Sequence, residues 1–182
     1  MKGLIFASGL AALALPLSAA QAGVLTIGTG FARSCFEASE ARNPSPANIE
    51  TCNRAFTEQA LDAHDEVATH VNRGILYYLS DNLAAANADY NQALALNPNE
   101  AEAWLNKGMA ELKARKSQSA ASMFEKALAL RTVRPALAYF GRAIVMEDMG
   151  NLPQAYADLR RAQSLEPRWS LPAEELKRYI VR

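Results

Sequence analysis

Residues 67–100 read VATHVNRGILYYLSDNLAAANADYNQALALNPNE, and this stretch carries the pattern that decides the fold. When Val67 is counted as position 1, small residues fall at positions 8, 20 and 27, and an aromatic residue falls at position 24. Those positions hold Gly74, Ala86, Ala93 and Tyr90. Self-similarity at a fixed period of about 20 to 50 residues indicates a repeat architecture, so this period is followed first.

The same pattern returns in residues 101–135, which include one extra residue, and again in residues 136–169. The second copy places Gly108, Ala120, Ala127 and Phe124 at these positions, and the third places Ala143, Ala155, Ala162 and Leu159 there. Small side chains let two helices approach closely, and one large side chain fills the space between neighbouring helices. The sequence therefore predicts three consecutive pairs of antiparallel helices.

This spacing resembles the tetratricopeptide repeat, a helix–turn–helix unit of about 34 residues. The resemblance covers the repeats 67–100, 101–135 and 136–169. It implies an all-α, right-handed solenoid that binds other proteins and catalyses no reaction. The second repeat departs from the pattern because Thr132 replaces the proline that ends the second helix of the other two repeats. We therefore expect a looser junction around residues 131–135.

The last repeat of such an array has an uncovered apolar face, so the resemblance implies a capping helix within residues 170–182. We expect this helix to run from Pro172 to Val181, with Leu176, Tyr179 and Ile180 on one face.

Residues 23–66 contain both cysteines and are predicted to form a degenerate helical repeat. With Thr29 as position 1, Cys35 falls at position 7 and Cys52 at position 24, and these two positions face each other within a repeat. An even pair of cysteines in an oxidising compartment most simply forms one structural disulfide. We expect a Cys35–Cys52 disulfide that joins two short helices, with residues 43–46 as the turn between them.

Residues 1–22 are predicted to be a secretory signal peptide that is removed from the mature protein. Lys2 supplies the positive charge, residues 4–15 form the apolar run, and residues 20–22 read Ala-Gln-Ala, a small-residue cleavage site. The run is shorter than the ~20 residues that a membrane helix needs. The mature chain would begin at Gly23, or at Gln21 if cleavage follows Ala20; an uncleaved anchor is the alternative. The signal resembles the bacterial Sec type, which predicts a periplasmic or secreted protein that meets the membrane only transiently.

Composition and motifs argue against several classes of function. The 19 basic and 19 acidic residues leave no positive surplus for binding a nucleic acid backbone. The sequence contains none of the common hydrolase, metalloprotease or nucleotide-binding motifs. His64 and His70 are six residues apart, which is not the helical spacing of two metal ligands. We therefore predict a non-enzyme with no metal and no cofactor.

Arg73, Lys107 and Arg142 share position 7 of their repeats. They are either a basic triad for an acidic ligand or partners in structural ion pairs. The pairs are the preferred interpretation, because aspartates at position 23 accompany the two arginines, whereas the lysine has Met123 there. This interpretation predicts Arg73–Asp89 and Arg142–Asp158 pairs.

The resemblance also indicates where a partner would bind, namely on the concave face formed by the first helix of each repeat. The predicted partner-binding residues are Val71, Asn72, Ile75, Tyr78, Leu105, Asn106, Met109, Leu112, Phe140 and Ile144. Asn72 and Asn106 resemble an asparagine ladder that holds a peptide backbone, and Gly141 interrupts that ladder in the third repeat. The apolar members are either a groove for a partner or a surface that the chain's own N-terminal segment or its curvature covers.

The predicted function is therefore a protein–protein interaction adaptor that acts outside the cytoplasm on a protein or peptide partner. The alternative is a self-associating structural module that forms a homo-oligomer in the envelope.

Overall fold

The computed structural model describes residues 4–6, 23–26 and 29–181. These residues contain nine helices and one short two-stranded sheet. In chain order, the elements are β1 Leu4–Phe6, α1 Phe31–Glu40, α2 Pro46–Glu58, α3 Ala63–Leu79, α4 Leu83–Leu96, α5 Ala101–Lys113, α6 Ser117–Ala129, α7 Pro135–Asp148, α8 Leu152–Leu165, α9 Ser170–Leu176 and β2 Tyr179–Val181. Apart from β1, the predicted signal peptide lies outside the described residues.

The three predicted helix pairs are α3 with α4, α5 with α6, and α7 with α8, and each pair packs on the next to form an α-solenoid. The small residues at position 8 make this packing possible. A Cβ atom on Gly74 would lie 2.5 Å from the ring of Tyr90, and one on Gly108 would lie 2.9 Å from the ring of Phe124. Any larger residue at these two positions would push the two helices of the pair apart.

The turn within each repeat has one residue in the left-handed region of backbone space. This residue is Asp81 with φ 66°, Arg115 with φ 60° and Gly150 with φ 78°. The next residue begins the second helix, and in the first and third repeats it is an asparagine whose side chain accepts a hydrogen bond from the backbone. In the second repeat, the Lys116 side chain makes no such bond. That turn therefore has the same left-handed residue but no side-chain cap on the second helix.

The junction between the second and third repeats is held by a buried carboxylate. Glu102 Oε1 accepts hydrogen bonds from Thr132 Oγ1 at 2.9 Å and from the Val133 backbone N–H at 2.7 Å. The Thr132 hydroxyl oxygen in turn accepts a bond from the Arg134 backbone N–H at 3.2 Å. The expectation of a loose junction is therefore wrong, because side-chain hydrogen bonds fasten the chain where the proline is missing.

Ahead of the repeats, α1 and α2 form the predicted pair of short helices. Cys35 on α1 and Cys52 on α2 are joined by the predicted disulfide. Both cysteines are fully buried, and they pack with Leu76 of α3 in one apolar cluster. The disulfide-linked pair therefore covers the outer face of the first repeat.

The C-terminal cap is shorter than predicted. Helix α9 ends at Leu176, and Tyr179–Val181 forms a strand that pairs antiparallel with Leu4–Phe6. The chain leaves the helix where Arg178 and Tyr179 both contact Glu147 on α7, the tyrosine hydroxyl donating to Oε2 at 2.8 Å. A long-range contact thus overrides the local helical pattern, and Leu176, Tyr179 and Ile180 do not share a helix face.

Candidate functional site

The ten predicted partner-binding residues lie on α3, α5 and α7, the first helices of the three repeats. Nine of them are buried, none with more than 4% of its surface exposed, and Tyr78 is half-buried. The structure therefore places these residues on the first helix of each repeat, where the prediction puts the concave face. That face is packed against other parts of the chain and is not an open apolar surface.

The chain's own residues 23–26 cover the first-repeat end of this face. The Asn72 side chain binds both backbone groups of Val24: its Oδ1 accepts from the Val24 N–H at 2.9 Å, and its Nδ2 donates to the Val24 carbonyl at 2.8 Å. Asn72 therefore holds a peptide backbone as an asparagine ladder would. The backbone it holds belongs to the same chain, 48 residues upstream.

Side chains of this segment alternate between the solenoid and the solvent. Val24 packs on an apolar cluster that includes Val71 and Ile75. Leu25 is 54% exposed, whereas Thr26 is 1% exposed. Alternation with a period of two is typical of an extended chain lying on a surface. We refer to residues 23–26 as the N-terminal segment.

Two residues of α1 complete the wall around this segment. Glu40 Oε1 accepts a hydrogen bond from the Gly23 N–H at 3.2 Å. The hydroxyl of Ser39 is buried and lies 3.2 Å from Asn72 Oδ1. Sequence reasoning missed both residues, although a signal was present: counted from Thr29, Glu40 falls at position 12, the position that the predicted partner-binding residue Tyr78 holds in the first repeat.

The asparagine ladder cannot extend to the third repeat. Asn106 on α5 is fully buried, as Asn72 on α3 is. The equivalent position on α7 is Gly141, where a Cβ atom would lie only 2.4 Å from Cζ of Phe124. The ring from the second repeat fills the space that a third asparagine would need, which is the physical reason for the interruption.

The two arginines at position 7 are engaged in structural ion pairs, as predicted. Arg73 donates to both carboxylate oxygens of Asp89, with distances of 2.9 and 2.7 Å. Arg142 pairs with Asp158 in the same way, and these hydrogen bonds raise the pKa of the arginine above its ordinary value. Lys107 donates to Asn91 at 2.7 Å. The two arginines are therefore fixed between the helices of their repeats.

The histidines have separate surroundings. His70 Nδ1 lies 2.9 Å from Asp89 Oδ1, and its ring is tilted by 37° against that of Phe56, with 4.4 Å between ring centres. His64 lies beside Asp62 and Asp65, whose candidate ligand atoms are within 4.8 Å of its own. Sequence reasoning did not foresee these two carboxylates. Asp62 already has a structural task, because it caps α3 by accepting a hydrogen bond from the Asp65 N–H at 2.8 Å.

Across the part of the chain that the structure describes, no helix combines the length and the apolar character needed to cross a bilayer.

Solved structures share this architecture at low sequence identity. The Arabidopsis OM64 TPR domain is 24% identical, with a TM-score of 0.59 over 64% of this chain and 98% of that chain. A crystal structure of MamA is 20% identical, with a TM-score of 0.63 over 78% of this chain and 80% of that chain. The second TPR of Spaghetti (RPAP3), bound to the HSP90 peptide SRMEEVD, is 23% identical, with a TM-score of 0.53 over 56% and 93%. These likenesses show the fold.

No curated protein matches the sequence significantly. Residues 71–130 and 105–170 each match the family described as tetratricopeptide repeat, and together they span more than half of the chain. This fold typically mediates protein–protein interactions, and proteins of the family are generally non-catalytic scaffolds. The chain belongs to the tetratricopeptide repeat family.

Proposed function

We propose that this protein is a non-catalytic interaction module that binds an extended segment of a partner protein along its concave face. The observation that carries the proposal is the pair of hydrogen bonds between Asn72 and the backbone of Val24. One amide side chain satisfies both backbone groups of a single residue, so this contact requires an extended chain but no particular side chain. A segment of another protein could make the same two bonds.

Similar solved structures are consistent with this use of the fold. The first and the second TPR of Spaghetti (RPAP3) were each solved with the HSP90 peptide SRMEEVD bound. The face described here is mostly apolar, which favours a partner that contributes apolar side chains at alternate positions, as the N-terminal segment does with Val24. Charged anchors on the partner would find little complementary charge on this face.

The N-terminal segment competes with such a partner. A short tether gives a segment an effective concentration on the order of millimolar at its own site. A partner present at micromolar concentration must therefore bind more tightly than the segment by roughly a thousandfold, or the segment must first be released. We infer that the groove is closed in the isolated protein and opens by exchange of one extended chain for another.

We further propose that the protein acts outside the cytoplasm, in the periplasm or beyond. The sequence of residues 1–22 has the order of charge, apolar run and small residues that a signal peptide needs. A buried disulfide between Cys35 and Cys52 supports the same placement, because such bonds persist in oxidising compartments.

Fluorescence anisotropy with an N-acetylated peptide of the sequence GVLTIGTG, residues 23–30, tests the groove. In the full chain, Val24→Asp places a charge against the apolar cluster and should release the N-terminal segment. We expect this variant to bind the peptide at least tenfold more tightly than the wild-type chain does. Adding Asn72→Ala to Val24→Asp should remove the binding. Leu25→Asp is the matched control, because Leu25 points to solvent and its replacement should leave the segment in place.

Light scattering on the same proteins separates this function from self-association. If the mass of the wild-type protein rises with concentration and that of Val24→Asp does not, the protein self-associates through the N-terminal segment. The partner segment is then the N-terminal segment of a second copy. Failure of Val24→Asp, with its helicity intact, to bind the peptide would show that the concave face is only a packing surface, and it would overturn the proposal.

A further inference from the structure

The backbone nitrogen of Gly23 lies in a small site built of oxygen atoms. Glu40 Oε1 accepts its hydrogen bond at 3.2 Å. The Ser39 hydroxyl and the Asn72 side-chain oxygen flank the same residue. We propose that this is a binding site for an N-terminal ammonium group, and that its ligand is the amino terminus of the mature chain, beginning at Gly23. The proposal rests on the proposed site of action, and it takes residues 1–22 to be removed by cleavage after Ala22.

The first support is that the site fits a glycine closely. A Cβ atom on residue 23 would lie 2.6 Å from Glu40 Oε1, 3.0 Å from Ser39 Oγ and 3.2 Å from Asn72 Oδ1. The Glu40 side chain could swing away, but that movement would break its own bond to the Gly23 nitrogen. Ser39 is short and buried, so it has little freedom to give way. A residue other than glycine would therefore lose either the carboxylate contact or the close fit.

The second support is the charge that processing creates. In the unprocessed chain the Gly23 nitrogen is an amide with one proton, and in a chain that begins at Gly23 it is an ammonium with three. Hydrogen bonds in which a partner is ionised are stronger than those between neutral groups, and an ammonium adds a second, opposite charge to a contact in which only the carboxylate is charged. The other carboxylate oxygen of Glu40 lies 3.9 Å from Arg134, which anchors the side chain beside the new charge.

The third support is that the position of the cut matters. Cleavage after Ala20 would leave two residues ahead of Gly23 and would move the ammonium up to about 7 Å along an extended chain. The Gly23 nitrogen would then remain a backbone amide, and only its single N–H would donate a hydrogen bond to Glu40. The site thus distinguishes a terminus at Gly23 from the neighbouring alternative at Gln21, and it fastens the N-terminal segment once the leader has been removed.

The test uses the protein recovered from the cell envelope after export of the full chain. Intact mass first identifies the terminus, for which we expect Gly23. With glycine labelled in ¹³C, NMR then follows the Gly23 Cα signal as pH changes. We expect the pKa of the amino group to lie about half a unit or more above the ~7.7–8.0 of an ordinary α-amino group. Glu40→Gln should return it to that range. Glu37→Gln, on the same helix but paired with Arg33, should leave it raised.

A second variant keeps the test independent of the charge. Gly23→Ala retains a small residue after the Ala-Gln-Ala site, so processing should continue. We expect amide hydrogen exchange at Val24 to become about tenfold faster in this variant, while exchange in α5 to α8 stays unchanged. Ser34→Ala, which adds no bulk near the site, provides the comparison.

The ammonium site would be overturned if the amino group of Gly23 had an ordinary pKa that Glu40→Gln did not change. A mature chain that retains residues before Gly23 would overturn it as well. Neither result decides whether the groove binds a partner, because the groove test uses an N-acetylated peptide and the Val24→Asp chain. Conversely, loss of peptide binding would leave the NMR titration of the chain's own terminus fully interpretable.

Discussion

Arg142 on α7 and Asp158 on α8 are joined by two hydrogen bonds of 2.8 Å each, one from Nε to Oδ2 and one from Nη2 to Oδ1. The carboxylate is buried, and the amide of Gln154 donates to it as well, at 3.1 Å. The first repeat contains the same pair as Arg73 with Asp89. A planar guanidinium that meets a carboxylate through two bonds fixes both the distance and the rotation between two helices.

Asp158→Asn should therefore destabilise the third repeat by about 2 kcal/mol, because it removes the negative charge while the arginine stays partly buried. Chemical denaturation of the variant and of the wild-type chain measures the difference. Arg160→Ala, an exposed position on the same helix, should change the free energy of unfolding by less than about 0.5 kcal/mol. Equal losses in the two variants would mean that the pair contributes nothing specific.

Tyr90 and Phe124 occupy the same position in successive repeats, but only Tyr90 carries a hydroxyl. That hydroxyl is buried without a hydrogen-bond partner among the described residues, and burial raises the pKa of Tyr90 well above its ordinary value. Tyr90→Phe should therefore leave stability unchanged or raise it by up to about 1 kcal/mol, since it removes a desolvated polar group. Phe124→Tyr should lower stability by about 1–3 kcal/mol. Thermal unfolding of both variants tests this, and a clear loss in Tyr90→Phe would show that the hydroxyl is satisfied in solution.

Removing the disulfide by the double change Cys35→Ala and Cys52→Ala should cost about 3 kcal/mol. We expect the loss to be local, because contacts in a solenoid run only between neighbours. Hydrogen exchange should accelerate in α1 and α2 and at the Val24 amide, whose wall is partly built by α1. Protection in α7 and α8 should remain. An equal loss of protection in all three repeats would contradict this.

Leu105 is fully buried on α5, so Leu105→Asp should destabilise the fold by about 3 kcal/mol or more by placing a charge in the core. Leu25→Asp should have almost no effect, because that side chain is largely in solvent. Urea denaturation of the two variants makes the comparison. A stable, fully helical Leu105→Asp chain would mean that the concave face is open in solution.

Local patterns in the sequence predicted the parts of this structure that lie within a single helix pair. The recurrence of small and large residues located the helix pairs, and the joint presence of Arg142 and Asp158 located an ion pair. The offset between Cys35 and Cys52 predicted their disulfide, since it equals that of two facing positions. Each of these contacts lies within one helix pair, so the period alone identifies both partners.

Contacts between distant parts of the chain could not be predicted in this way. The bonds between Asn72 and Val24 span 48 residues and involve the backbone of Val24, which no side-chain pattern marks. The end of α9 depends on Glu147, 31 residues before Arg178. Sequence reasoning raised coverage by the N-terminal segment as one alternative for the concave face, but it could not choose between the alternatives.

The packing of Phe124 over Gly141 limits how long a bound peptide this face can recognise through hydrogen bonds to the peptide backbone. At position 6 of the three repeats, α3 and α5 carry asparagine and α7 carries glycine, and the axes of neighbouring packed helices are about 8–10 Å apart. An extended chain covers that distance in about three residues. Recognition through the main chain is thus confined to a short linear motif. A longer ligand would have to gain its additional affinity from contacts between its side chains and the face beyond α5. Related proteins with the same groove would therefore differ in specificity mainly at the third repeat.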